Sequence, residues 1–368
     1  MAAMERMTSR ERLLRLYGHQ PVDRPAVFVR WGGMEEADAS YDGLRRLVVQ
    51  STDRKILWDA GLLREPRPVT SQVEPFDEGY DLQTNVLATP KGDLVERVMV
   101  SRHGLPSYTR EHYVKSVEDC ERWLTLPIPA VGGSCASFFA ADRSIGERGI
   151  VDVYLGANPA GAIVELMGSE TFAVMSVTER DLVHRMMARE RDGLLAAVRW
   201  LLDHGVGPCF GCAGQEYLTP PLHGRRDFFD FNVGYDQPIT AAIHARGGRV
   251  HVHCHGSIAT VLDGFPALGA DVIHPFEAPP MGDVTPARAK QALGASVTLE
   301  GNIQIADMYG GATPDGIRVQ VRELIRKAFA DRQGLIVCPT ASPYRAGDGA
   351  LCLENYRVMV EEVLAWRG

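Results

Sequence analysis

The sequence predicts an α/β protein built as a single (β/α)8 barrel, and three observations carry that reading. From about residue 150, short apolar runs alternate with amphipathic helical stretches at least five times, the rhythm of parallel βα units. No G-x-G-x-x-G follows an early strand, which removes the usual dinucleotide-binding reason for an open doubly wound sheet. The strand-like runs also end in His, Cys, Glu or Asn, at the place where a barrel keeps its reactive side chains.

Taken in order, "SRERLLRLYGH" reads as an opening helix, with Ser9 as cap and Leu13, Leu14 and Leu16 recurring on one face. "RPAVFVRW" (24–31) is an apolar, β-rich run bounded by proline and glycine, hence a strand. Residues 65–125 alternate Thr, Val and charged residues around a Pro-Lys-Gly-Asp turn, and predict a β-hairpin excursion from one domain spanning 1–368. "GIVDVYLG" is a strand, with helix after Pro159. "TERDLVHRMMARERDGLLAAVRWLLDHG" is a long amphipathic helix stopped by Gly205. Strands then follow in "GPCFG", "RVHVHC", "ADVIHPF", "SVTLEGN" and "GLIVCP". The helices between and after them are expected to end in "DQPITAAIHARGG" and to lie near 258–268, 286–293, 314–330 and from about 351.

Composition narrows the function classes. The chain is 45% hydrophobic and 23% charged, with a net charge of -8 and no Lys/Arg run, so a nucleic-acid groove is not expected. No window approaches the roughly 18 uninterrupted apolar residues of a membrane span, and the first residues lack the apolar core of a signal peptide. Seven cysteines, an odd number scattered along the chain, fit reduced thiols and a cytoplasmic setting better than a disulfide framework.

The densest chemical signal is "HVHCHG" at 251–256. On a strand, His251, His253 and His255 share one face and Cys254 takes the other. His253 and His255 at a strand end suit a metal or acid/base role, whereas His251, deeper in the strand, reads as a packed polar residue. "ADVIHPFE" delivers Glu277, "SVTLEGN" delivers Glu300 and Asn302, "GLIVCP" delivers Cys338, and the segment after "GPCF" delivers Glu216 and Tyr217. Zinc accepts His nitrogen, Cys sulfur and carboxylate oxygen. His253, His255, Glu277 and Cys338 therefore form a candidate tetrahedral set, with Glu216 as a spare carboxylate or general acid. Cys209 and Cys212 form a C-F-G-C pair with no second pair at ribbon spacing, and read as packing.

In the order and spacing of "RERLLRLYGHQPVDRPAV", "GQEYLTPPLHGRRDFFDFNVGYDQPITAAIHARGG", "HVHCHGSIATVLDGFPALGADVIHPFEAPPMGD", "LEGNI" and "LIVCPTASPY", the chain resembles the uroporphyrinogen decarboxylase-like superfamily over nearly its whole length. That superfamily includes corrinoid-dependent methyltransferases. The decarboxylase branch uses an R-Q-A-G-R motif after the first strand; here the stretch is Arg30-Trp31-Gly32-Gly33, so its second arginine is missing, which argues against a many-carboxylate porphyrinogen. The methyltransferase branch carries a zinc site of the form His-x-Cys-Gly with a later cysteine. Aligned on Gly256, His253 takes the histidine and His255 the place of the cysteine. A related zinc site, in cobalamin-independent methionine synthases, adds a glutamate twenty-two residues past the cysteine, the position of Glu277. The last cysteine falls at Ala341, three residues past Cys338.

The resemblance implies a methyltransferase or demethylase that moves a methyl group from a small methoxylated or methylated compound to a corrinoid on a separate partner protein, since no D-x-H-x-x-G pattern occurs here. Either Cys338 substitutes from its shifted position, or two histidines and a glutamate hold zinc or another divalent transition metal with open positions, or the histidines act as acid/base groups without a metal. Arg30, Tyr217, Asn302 and Tyr344 are the expected substrate contacts. A decarboxylase or lyase acting on a small non-porphyrin carboxylate is the alternative, and a non-catalytic binding barrel a third. Monomer and homodimer are both compatible with the sequence.

Overall fold

The structure, a computed structural model, describes residues 6–30, 38–103 and 106–367. Its strands, numbered in chain order, begin with β1 (Ala26–Val27) and β2 (Arg54–Asp59). A separate group follows: β3 (Val69–Pro75), β4 (Tyr80–Leu87), β5 (Leu94–Ser101) and β6 (Tyr108–Glu111). The remainder are β7 (Gly149–Ala157), β8 (Cys209–Ala213), β9 (Arg249–His253), β10 (Val272–His274), β11 (Thr298–Ile303) and β12 (Leu335–Pro339). Eight of them form one curled parallel sheet in the order β1-β12-β11-β10-β9-β8-β7-β2, which is the expected barrel.

The seam between β1 and β2 is closed by one residue. Asp53 donates its backbone N–H to Val27 O (2.8 Å) and accepts the Val27 N–H on Oδ2 (2.9 Å). Its carboxylate also receives Arg12 Nη1 at 2.6 Å and Arg24 Nη1 at 2.8 Å, while Arg12 Nε reaches Asp23 at 2.7 Å. The opening segment thus staples the barrel shut with charged hydrogen bonds inside the protein. Asp53→Ala removes a fully buried partner from two guanidiniums, and is expected to cost about 3 kcal/mol of stability, measurable as a fall in the urea midpoint.

Local chemistry sets the helix starts. Asn158, Thr285 and Thr313 each cap a helix through a side-chain oxygen and are followed by proline in the first turn, where the missing N–H has no intrahelical partner to lose. The helix Pro314–Ala328 buries Ile317, Val321, Leu324, Ile325 and Ala328, a one-sided stripe of 3.6 period laid on the barrel.

Three expectations shift. Thr8, not Ser9, is the first cap, its hydroxyl accepting from Glu11 N. The helix expected near 258–268 shortens to Gly264–Leu268, because the preceding residues close as tight turns (Val261 N to Ile258 O, 2.9 Å) and Asp283 holds Ala259 N. The strand expected at 24–31 pairs only at Ala26 and Val27, and Trp31, like Gly32 and Gly33, lies outside the described residues.

The hairpin expected at 65–125 is present as β4 and β5, flanked by β3 and β6 in a four-stranded antiparallel sheet. A second apolar cluster, including Leu87, Leu94, Trp123, Phe172 and Met186, lies between this sheet and the helices that follow β7. No single helix among the described residues is long and apolar enough to cross a membrane.

Candidate functional site

Barrel strands alternate inward and outward residues, and here several inward positions are charged. A cavity of about 740 Å³ is lined by Lys55 of β2, Asp152 of β7, His251 and His253 of β9 and Glu300 of β11, together with Arg30 and Phe28. This volume suits a small-molecule ligand.

Burying charge demands partners, and the cavity wall supplies them in two groups. Lys55 Nζ pairs with Glu300 Oε2 and lies over the Phe28 and Tyr17 rings, 4.8 and 5.1 Å from their centroids. Tyr17 donates its hydroxyl to Asp152 Oδ2 at 3.0 Å, and His251 Nδ1 lies 3.5 Å from the same oxygen. Burial by itself would raise the Asp152 pKa, but His251, Lys55 and Tyr17 together bring it below the ordinary carboxyl value. Three buried polar atoms around this cavity have no partner among the described residues: Asp152 Oδ1, His251 Nε2 and Glu300 Oε1. Asp152 Oδ1 and Glu300 Oε1 are acceptors.

Behind Glu300 lies the only group of three His, Cys, Asp or Glu donors among the described residues that converge within 4.8 Å of one another: His274, Glu300 and Cys338, all buried. Sheet register creates it, for β10, β11 and β12 are consecutive neighbours. Cys338 Sγ lies 3.8 Å from His274 Nε2, whose N–H donates to Pro339 O at 3.0 Å. Burial lowers the pKa of His274 well below the ordinary imidazole value, with Arg30 and His253 adding to the effect, so the ring is neutral and keeps a lone pair. Burial, then the Glu300 charge, pushes the Cys338 thiol up, so without a cation beside it this group is a thiol, not a thiolate.

The residues expected from sequence fall around this cluster in layers. His253 stacks on His274, with Nδ1 to Nδ1 at 2.9 Å and ring centroids 5.1 Å apart; burial, followed by Arg30 and the neighbouring histidines, lowers its pKa strongly. His255 lies beyond the end of β9, its ring centroid 4.7 Å from that of His253. Its Nδ1 is 3.1 Å from Glu277 Oε2, which also accepts Gly256 N–H at 3.0 Å. The expected set therefore divides: His255 and Glu277 pair at the mouth, Cys338 lies with His274 and Glu300, and His253 bridges the two.

Glu216 caps Gly214 N–H at 3.0 Å and faces Glu165, whose carboxyl pKa is raised by burial and then by the Glu216 charge. Tyr217 belongs to the same group, its pKa raised by burial, Glu165 and Glu216. Arg30 lines the cavity, Asn302 is buried in β11, and Tyr344 is exposed with its ring edge-on to Tyr309 at 5.4 Å.

Sequence reasoning missed Lys55, Asp152 and His274 and set His251 aside. A signal existed for three of them: "GIVDVYLG", "RVHVHC" and "DVIHPF" each place an ionisable residue inside an apolar strand, where it needs a partner or a role. Glu165, on a helix face, carried no comparable signal.

The "GANPAG" turn has a structural use. Asn158 donates to both oxygens of the buried Asp236 (3.0 Å each) and to Asn232 (2.9 Å), and Gln215 donates to Asp236 at 2.8 Å. Burial outweighs these bonds and raises the Asp236 pKa to about 7. Because the folded value lies above the unfolded one, ionisation costs stability: nothing below about pH 4, then increasingly as pH rises to about 7. Asp236→Asn should accordingly gain stability relative to the native chain as pH rises through that window; parallel stability curves would show the carboxyl to ionise freely.

A parallel barrel with a deep polar cavity and a buried donor cluster defines an enzyme architecture, and the sequence places it in a family. The uroporphyrinogen decarboxylase (URO-D) family model matches residues 143–344, more than half of the chain, and the protein belongs to that family. Among solved structures, a methyltransferase from Methanosarcina mazei superposes with a TM-score of 0.63 over 97% of this chain and 98% of that one, at 12% identity. A 3-keto-D-glucoside 4-epimerase, YcjR, from E. coli reaches a TM-score of 0.36 over 61% of this chain and 92% of that one, at 11% identity. No curated protein sequence matches the chain significantly.

Proposed function

We propose that the protein is a metal-dependent methyl-transferring enzyme that moves a methyl group from a small methoxylated or methylated compound to a corrinoid carried by a separate protein. The observation that carries this reading is the buried His274, Glu300 and Cys338 cluster beside the cavity. The fold shared with a methyltransferase supports it. The donor set fits zinc or a similar divalent ion: a neutral imidazole, a thiol that a cation would ionise, and a carboxylate whose Oε1 has no partner among the described residues. Such an ion supplies Lewis acidity toward the heteroatom that loses its methyl group.

The chain's own residues do the remaining work. His274 Nε2–H donates to Pro339 O and its Nδ1 faces His253 Nδ1 at 2.9 Å, so these two neighbours fix the ring orientation. A metal on Nε2 would replace the Pro339 bond and move the proton to Nδ1, which would then donate to His253. Lys55 holds Glu300 in place and balances its charge. Phe28, Val29 and Ile56 line the cavity and limit water. Asp152 Oδ1 presents a free acceptor to a donor group of the substrate, while Arg30 offers a cation to an anionic one.

A second reading rests on a different observation: Arg30, Lys55 and the neutral His253 line the same cavity, which suits a carboxy-lyase that binds a small carboxylate and protonates carbon. One experiment separates the two. Metal-loaded protein is mixed with reduced cobalamin and a panel of methoxylated aromatics, methylated amines and methylated thiols, and methylcobalamin is followed by absorbance. Methylation that chelator abolishes supports the proposal. Absence of methylation, with chelator-insensitive CO2 release from a carboxylated panel, replaces it with the lyase.

A further inference from the structure

Outside the barrel, beyond the carboxyl end of β2, a small hollow of about 150 Å³ is lined by Arg64, Arg67 and Arg189, with Glu65, Glu190 and Ile128. Arg64 and Arg67 follow the turn Ala60–Leu63, and Arg189 and Glu190 lie on the long helix Arg180–Asp203. The backbone beneath Arg64 is fixed, since Glu65 N–H donates to Ala130 O at 2.9 Å and Gly132 N–H to Leu63 O at 3.0 Å. The Arg64 backbone is therefore held in place, and Arg67 and Arg189 are held through their side chains.

The charge is out of balance. Arg67 is paired with Glu190 at 2.8 Å and covers one part of the Trp123 ring at 5.2 Å; Arg189 covers another at 5.1 Å and donates to Leu126 O. The half-buried Arg64 guanidinium makes no side-chain hydrogen bond or ion pair with any described residue. Burial lowers the pKa of Arg64 and of Arg189; the Arg67 charge adds to this and the Glu190 charge opposes it at both. Glu65 also lines the hollow and is exposed, and Glu190 is already paired with Arg67, so three guanidiniums face two carboxylates. In a chain of net charge -8, a solvent-open hollow lined by three guanidiniums, one of them unpaired among the described residues, has a local preference for an anion.

We propose that this hollow binds one phosphate-sized oxyanion, with Arg64 as the principal donor and Arg67 and Arg189 as flanking charges. Planar guanidinium forks match the oxygens of a phosphate two at a time. The hollow accommodates a single phosphoryl group, either free phosphate or the phosphoryl end of a monoester whose remainder stays in solvent. The site is independent of the barrel chemistry, and its occupancy does not require the methyl-transfer reading to hold.

Binding is measured by titrating inorganic phosphate, and separately glycerol phosphate, into the full chain at low ionic strength, read by calorimetry and by tryptophan fluorescence. The expected result is one saturable site per chain with a fluorescence change that Trp123→Phe removes. Arg64→Gln should weaken binding by about tenfold without loss of fold, because the side chain makes no protein hydrogen bond. Glu190→Gln, which removes a competing carboxylate, should tighten it. Equal affinity for both probes identifies the phosphoryl group alone as the ligand; tighter binding of the ester locates the ligand on a larger metabolite, and both agree with the proposal. No saturable binding of either probe, or binding that Arg64→Gln and Arg189→Gln leave unchanged while circular dichroism shows them folded, overturns it.

Discussion

His274→Gln and Cys338→Ser are each expected to emerge from purification without stoichiometric metal and with turnover reduced at least about a hundredfold, since even outer-shell partners of a metal typically contribute 10–100-fold. Both side chains are buried, and neither substitution opens a large void, so the fold should persist and circular dichroism should match the native chain. The two variants differ in what they test. His274→Gln also removes the partner of His253 at 2.9 Å, whereas Cys338→Ser leaves the histidine pair in place and replaces only a soft ligand by a hard one. His255→Gln, at the mouth, should retain the metal and lose far less activity. Metal and kcat lost in His255→Gln but retained in His274→Gln and Cys338→Ser would move the site to the mouth.

The second large effect concerns the ion pair beneath the cavity. Lys55 and Glu300 are 4% and 0% exposed, so Lys55→Met leaves a carboxylate buried with no cation, and a loss of about 3–5 kcal/mol is expected. Desolvation of the remaining charge dominates that cost. The double variant Lys55→Met/Glu300→Leu removes both charges and should recover most of the stability, yet remain inactive because the cluster has lost its carboxylate. Urea denaturation of the two single variants and the double variant measures the coupling. Additive losses would show that the charges are solvated separately and that the cavity is wetter than its geometry implies.

How far the sequence carried the account depends on whether the information was local. Cap-and-proline pairs such as Thr313-Pro314 announce helix starts because capping is settled within four residues. Runs such as "GLIVCP" announce buried strands because both of their faces are apolar. By contrast, β3 is exposed along its whole length and β6 has four residues, so neither shows the alternation that marks a strand, and only the central hairpin was legible. The metal donors illustrate the same limit. His253 and His255 look like a pair because they are two residues apart, but which donors converge is fixed by register between strands. His274 stands opposite His253, and Cys338 opposite Asn302. Those pairings join residues distant in sequence, and no spacing rule gives them. Cys338 was found as a strand-end thiol; its partners His274 and Glu300 required the sheet.

The most direct test of the central claim is X-ray absorption at the metal edge on protein purified without chelator or nickel affinity, together with its metal-to-protein ratio. The account predicts close to one divalent transition ion per chain, with one sulfur and mixed nitrogen and oxygen ligands, as His274, Glu300 and Cys338 require. An ion bound by nitrogen and oxygen alone would relocate the site to His253, His255 and Glu277. Protein that is active without any metal would contradict the account.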